Sequence, residues 1–359
     1  MKIKSFVVGI FISAAVSEGA SAYTFDEAMQ MCQAKIPVVR QQFPTPPWNW
    51  HPGEGECITN SAPNGSGAII LYTPSDLTFS WSFESFATIA LSWVQPAQNP
   101  ADGAIPTGAL GAMIPSKIRG TNNVHYSTAT LKATVKSSTG SPVAGAAVQI
   151  SVDVIPLTGY HNHTSAIRPK GILSSPTIPT SNQSIQIPGT TDANGEFKFF
   201  FTATDFSGNH KIAASCTDRT CTQQGPSVVV ARIPNLASLA ENAQLYTLRG
   251  ASSTHQSNHN FTSVAQAALI DLATRFRDQN NGTLLILNDG SLPLGGLYDF
   301  TNNWANPHKA HRRGVVVDIN NFTVRNIPFE HLCKDLGIFP SWEGGSHPHY
   351  HLWLIGQDG

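Results

Sequence analysis

Residues 129–152, ATLKATVKSSTGSPVAGAAVQISV, alternate apolar and polar side chains on either side of a turn. In the first arm Ala129, Leu131, Ala133 and Val135 share one face, and Thr130, Lys132 and Thr134 share the other. Successive side chains of a β-strand point to opposite faces, so this period of two marks a half-buried strand. Ser138 to Pro142 carries the turn chemistry, and Ala147 to Val152 is the returning strand.

Working outward, Thr191 to Gly195 is a second strong turn signal. Glu196 to Phe201 then alternates, and Lys211 to Cys216 closes the set. Strand runs punctuated by Gly, Pro and Asn predict an antiparallel β-sandwich over residues 120–232. GSPVAGAAVQI (140–150), TDANGEFKFFF (191–201) and SGNHKIAAS (207–215) resemble bacterial immunoglobulin-like repeats of the invasin type. That resemblance implies a spacer or adhesive module and carries no chemistry. His161 and His163 fall in a long insertion between strands. They read as exposed loop residues, with a metal site as the alternative.

The chain has 359 residues, a net charge of −1 and only 13% charged residues, against about 25% in ordinary soluble domains. A basic nucleic-acid-binding protein is excluded, because it needs clustered Lys and Arg to displace counterions. The 41% hydrophobic fraction is enough for packed cores, and the length predicts a multidomain chain. Residues 1–22 read as a secretory signal: Lys2 and Lys4, a short apolar run from Phe6 to Val16, then the cleavage site Ala20-Ser21-Ala22. No later segment reaches transmembrane length. A periplasmic or secreted protein is expected. Five cysteines fit an oxidising compartment, with Cys32–Cys57 and Cys216–Cys221 as the favoured local pairs. Cys333 is left as a buried hydrophobe on a helix.

Residues 23–115 form an N-terminal module, expected to be β-rich after a helix from Thr24 to Arg40, and a candidate for wall binding. Trp48, Trp50 and His51 read as a turn or core cluster under a disulfide, with sugar stacking as the alternative. Ala68 to Tyr72 and Leu77 to Trp93 read as strands, and Pro96 to Pro115 as a linker. Residues 235–359 alternate helix and strand, which predicts an α+β domain built on an antiparallel sheet. Its helices are Val264 to Arg277 and Phe329 to Leu336. Its strands are Leu284 to Leu287, Gly314 to Ile319 and Pro348 to Ile355.

Six of the thirteen histidines lie between residues 308 and 351. His308 and His311 precede Asp318 in the pattern H-x2-H-x6-D, and His347, His349 and His351 alternate. If that last segment is extended, all three imidazoles share one face. Imidazoles and a carboxylate with one position left open make a catalytic metal site, and zinc suits that donor set. His255 and His259 read as exposed loop residues, and His331 as a helix-surface residue.

The segments NDGSLPLGG (288–296), PHKAHRRGVVVDI (307–319) and HPHYHLWL (347–354) resemble the LAS metallopeptidases, which include D-Ala-D-Ala peptidases and the hedgehog signalling domain. Within that group the chain is most similar to penicillin-insensitive murein endopeptidases. The resemblance implies Zn2+ on His311, Asp318 and His351, with His349 beside the metal assisting catalysis. His349 or Glu343 is the expected general base, and His347 or His308 the expected oxyanion group. Asn288, Asp289 and Ser291 are candidates for positioning the substrate or for supporting the metal ligands from behind, and Arg312 for meeting a substrate carboxylate. Turn formation is the alternative for the first three, and solvation for Arg312. The implied activity is hydrolysis, by an endopeptidase or carboxypeptidase, of peptide bonds in peptidoglycan cross-links or related D-amino-acid peptides. The rival is a non-enzymatic wall-binding or adhesin-like protein that keeps the zinc fold as scaffold. Cleavage of an ordinary protein substrate is a third reading. No protein partner is specified by the sequence.

Overall fold

The computed structural model describes residues 25–42, 56–61, 67–72, 78–83, 87–95, 107–115, 127–164, 166–178, 184–305 and 310–355. The expected signal segment 1–22, the cluster at Trp48, Trp50 and His51, and His308 lie outside them. Among the described residues no helix is long and apolar enough to cross a membrane. The chain is mostly β-sheet and divides into two compact units, residues 1–86 and 87–359.

The first unit contains α1 (Phe25–Gln42) and a three-stranded antiparallel sheet of β1 (Cys57–Ser61), β2 (Gly67–Tyr72) and β3 (Thr78–Phe83). A disulfide between Cys32 and Cys57 ties the helix to β1. Ala28, Cys32 and Val39 of the helix pack with Leu71 of β2 in a small core.

The second unit opens with a sandwich. Its strands are β4 (Ala87–Gln95), β5 (Gly111–Met113), β6 (Thr128–Ser137), β7 (Ala147–Val154), β8 (Ile172–Ser174), β9 (Gln186–Thr190), β10 (Glu196–Thr202), β11 (Gly208–Cys216), β12 (Cys221–Gln224) and β13 (Val228–Ala231). One sheet has the order β12-β4-β6-β10-β8 and the other β5-β13-β11-β7-β9. Leu131 and Val135 of β6 and Phe199 and Phe201 of β10 pack against Ile150 of β7 and Ile212 of β11. All six are fully buried, which is the inward half of the alternation seen in the sequence. The disulfide Cys216–Cys221 joins β11 of one sheet to β12 of the other.

The sandwich begins earlier than the sequence reading placed it. β4 and β5 fall inside the expected N-terminal module 23–115, yet β4 pairs with β6 and β12, and β5 with β13. The run Leu77 to Trp93 is therefore two strands in different units, and the expected linker contains β5.

The C-terminal part has β14 (Ala237–Ser238), β15 (Tyr246–Leu248), β16 (Asn260–Phe261), α2 (Ser263–Gln279), β17 (Leu285–Leu287), β18 (Val316–Ile319), α3 (Ile327–Asp335), β19 (Phe339–Glu343) and β20 (His349–Trp353). Its main sheet has the order β15-β17-β18-β20-β19. The pair β15–β17 is parallel, so the sheet is mixed where an antiparallel one was expected. Thr262 caps α2 by accepting a hydrogen bond from the Ala265 amide, and Asn326 caps α3 through the Phe329 amide. Leu269, Leu272 and Phe276 of α2 and Phe329 of α3 share a core with Val317, Ile319, Tyr350 and Leu352. On β20 the core therefore takes Tyr350 and Leu352, which leaves His349 and His351 on the opposite face.

Candidate metal centre

The first motif places its residues through a turn. Ala310–Arg313 is a single 3-10 turn, and Gly314 then redirects the chain into β18 with φ +70°. A Cβ at Gly314 would sit 2.4 Å from Leu236 Cδ2, so both the conformation and the space call for glycine. His311 ends fully buried at the start of this bend, and Asp318 is 2% exposed on β18.

The second motif arrives by strand pairing. β18 and β20 are antiparallel with Asp318 opposite His351. β19 and β20 are antiparallel with Glu343 opposite His349. His311 Nε2 lies 3.3 Å from Asp318 Oδ1, and His351 Nδ1 lies 2.6 Å from the same oxygen. The donor atoms of the three residues fall within 4.8 Å of one another. The His351 Nδ1 and Asp318 Oδ1 atoms are buried and close, yet their alignment is not that of a hydrogen bond. Two lone-pair donors turned to a shared point are what a cation between them requires, so these residues fit the metal that the motifs imply. Burial opposes charge on Asp318, but the His311 imidazole facing it holds its carboxyl well below the usual range. The His311 imidazole is raised in turn by Asp318 against the effect of burial.

One side of this group is open. His349 and Glu343 flank it with side chains 21% and 51% exposed. Glu343 Oε1 lies 3.1 Å from His351 Nε2, the ring atom opposite the Nδ1 that faces Asp318. A carboxylate at that distance favours the proton on Nε2 and so leaves Nδ1 as the ligating nitrogen. His349 Nδ1 donates to the His347 carbonyl at 2.8 Å, which leaves Nε2 as a lone pair. That Nε2 lies 3.6 Å from Glu343 Oε2 and 3.8 Å from Asp318 Oδ2.

Other sequence candidates sit differently from their expected roles. His347 precedes β20 and is exposed, with its Nδ1 at 3.0 Å from Ser346 Oγ, so it does not share the face of His349 and His351. Asp289 and Ser291 are 2% and 0% exposed, so of their two expected roles the structure leaves support from behind the ligands and not substrate positioning. The Asp289 carbonyl accepts the Asp318 amide at 2.8 Å, and the Asn288 amide donates to the Asp318 carbonyl at 2.8 Å. Asn288 and Asp289 thus fix the backbone of the ligand strand, and Asn288 Nδ2 also donates to Asp289 Oδ2 at 2.6 Å. Burial pushes the Asp289 carboxyl up to about 6. The Ser291 carbonyl accepts the Asn260 amide, which is a purely structural bridge. Arg312 is 7% exposed and its Nη2 lies 3.5 Å from Asp205 Oδ2 of the sandwich, so neither a substrate carboxylate nor solvation describes its place.

His255 and His259, expected on an exposed loop, are 0% and 7% exposed, and His259 Nε2 lies 3.3 Å from the Leu287 carbonyl. His161 and His163 are buried as well. His331 is exposed on α3, and Cys333 is a free, buried cysteine, as the sequence indicates. Burial pushes the Cys333 thiol up to about 12, which removes it as a nucleophile near neutral pH. Asn258 carries no mark in the sequence, yet its Nδ2 donates to Asp289 Oδ1 at 2.7 Å from 31 positions away. Nothing local links the two.

No family model matches the chain, and no curated protein matches it. Among solved structures it is similar to the Yersinia pseudotuberculosis adhesin InvE, at 9% identity over 80% of this chain and 77% of that one, with a TM-score of 0.31. The Escherichia coli adhesin FdeC is similar at 8% identity over 52% and 48%, with a TM-score of 0.23. The human F-spondin reeler domain is similar at 12% identity over 42% and 92%, with a TM-score of 0.23. Scores of this size carry no assignment, and the sandwich is defined by its own strand pairing and core.

Proposed function

We propose that this chain is an exported zinc metallopeptidase that hydrolyses peptide bonds in peptidoglycan cross-links or related D-amino-acid peptides. The observation that carries the reading is the meeting of His311, Asp318 and His351 at one buried point with one side open. Three protein ligands and a free position are the arrangement of a catalytic zinc rather than a structural one. The substrate class rests on the resemblance of the paired motifs to the LAS metallopeptidases. Export rests on the signal-like N-terminus and on two disulfides, which form in oxidising compartments.

When bound, zinc supplies Lewis acidity that acidifies a water and polarises a scissile carbonyl. The remaining work falls to side chains. His311, Asp318 and His351 would hold the ion. Glu343, 3.1 Å from His351 Nε2, favours the proton there and so sets which nitrogen ligates. His349, with Nδ1–H engaged by the His347 carbonyl, presents Nε2 to take the proton of the attacking water. Glu343 is engaged beside His351 Nε2, and the His347 carbonyl orients His349, which favours His349 over Glu343 as the base. Asn288 and Asp289 keep the Asp318 backbone in register.

Incubation of the chain with purified cross-linked muropeptides, with and without chelator, tests the reading by mass spectrometry. Chelator-sensitive loss of dimers with the gain of one water supports it. Intact dimers in the presence of metal-loaded protein would favour the wall-binding scaffold.

A further inference from the structure

Four side chains that this chemistry does not use meet elsewhere in the second unit. His161 and His163 lie in the insertion between β7 and β8, His255 in the loop before β16, and Asp299 in the loop after β17. They are 0%, 9%, 0% and 0% exposed. His161 Nδ1 is 2.8 Å from Asp299 Oδ1, and His255 Nε2 is 3.2 Å from that oxygen. His163 Nε2 is 3.1 Å from Asp299 Oδ2, and His161 Nδ1 is 3.3 Å from His255 Nε2. One donor atom from each residue falls within 4.8 Å of the other three.

Hydrogen bonds to Asp299 can satisfy the inner nitrogens of this group, three of which converge on that one carboxylate, but not its outer ones. The outer atoms His161 Nε2 and His163 Nδ1 are buried without a hydrogen-bond partner. Burying this many polar atoms is costly unless they are paired or bound to a metal. The spacing fits the second case. Ligand atoms at about 2.0–2.2 Å from a tetrahedral zinc stand about 3.3–3.6 Å apart, and the separations here, 2.8–3.3 Å, are within about 0.5 Å of that.

The surroundings close the group and hold its carboxylate. The Trp304 amide donates to Asp299 Oδ2 at 2.9 Å. The Trp304 ring lies 4.4 Å from that of His163 and 5.0 Å from that of His161, Phe206 stands edge-on to His161, and Tyr298 lies beside His255. Arg168 caps the outside, 4.8 Å above the Trp304 ring, while donating to the Thr158 and Ser207 carbonyls. Among the described residues all four side chains are buried, with no exposed face offered to a substrate.

From this geometry we propose a second metal site, a closed structural zinc held by His161, His163, His255 and Asp299, which staples the β7–β8 insertion of the sandwich to the C-terminal α+β region. Three imidazoles and a carboxylate without thiolate suit zinc in tetrahedral coordination.

The test uses the full chain carrying His311→Ala and His351→Ala, which removes the first site and leaves this cluster untouched. It is read by metal analysis and by the visible absorption of the cobalt-substituted form. The expected result is one tightly held zinc per chain and the intense bands of four-coordinate cobalt. Adding His163→Gln should abolish both, and metal removal from the parent variant should open the 155–171 insertion to limited proteolysis. A parent variant that holds no metal overturns the proposal, as does metal that survives His163→Gln. Both results are independent of whether the first site is catalytic.

Discussion

Asp318 and His351 stand directly opposite each other on antiparallel neighbours β18 and β20, with His351 Nδ1 2.6 Å from Asp318 Oδ1. Cross-strand partners share a face, so strand register alone brings together two residues 33 positions apart. A slip of one residue would send His351 into the core and bring Tyr350 out. The site therefore depends on whatever pins β20.

Tyr350 is the pin. It is fully buried between His349 and His351, its hydroxyl accepts the Asn326 amide at 2.7 Å, and it donates to Glu330 Oε1 at 3.0 Å. Tyr350→Phe leaves both partners short of a bond. It should destabilise the second unit by about 1–3 kcal/mol in denaturant unfolding. A neutral result would show that packing alone sets the register.

Glu343 acts on the metal through His351. Glu343→Ala should weaken metal retention roughly 10–100-fold, the usual effect of removing a carboxylate behind a ligating histidine. Competition against a chromophoric chelator measures it, and unchanged affinity would leave Glu343 without this role.

His349 should separate binding from rate. His349→Ala keeps all three ligands, so metal content should match the parent while the cleavage rate falls about 10²–10⁴-fold. An unchanged rate would remove His349 from the chemistry.

His210 makes the sandwich acid-sensitive. It is 0% exposed, and burial lowers its pKa from 6.5 to about 3. The unfolded chain takes up a proton near 6.5 that the folded chain refuses, so its contribution is present above 6.5 and is lost as pH falls toward 3. The slope is about 1.4 kcal/mol per pH unit in that window. His210→Leu should flatten the pH dependence of the urea midpoint below 6.5 relative to the parent. Parallel curves would contradict the assignment.

The sequence made the local features legible and hid the distant ones. Alternation in 129–135 and 196–201 marked sandwich strands because each strand reports its own two faces. The same rule put His349 and His351 together, and it failed for His347 because β20 starts only at His349. The start of the sandwich is hidden because β4 lies between β6 and a strand 134 positions away, Cys221 standing opposite Ala87. A short strand at Gly111–Met113 within a Pro- and Gly-rich stretch gave no periodic signal. His161 and His163 were read as exposed because their loop is polar. Their burial comes from Asp299, more than 130 positions on, and local pattern cannot register it.

The decisive measurement pairs metal content with muropeptide cleavage in the parent chain, His311→Ala and Asp318→Asn. The parent should hold zinc at this site and cleave cross-linked dimers in a chelator-sensitive way, and both variants should lose that metal and the activity together. Full cleavage by His311→Ala protein stripped of metal would contradict the account.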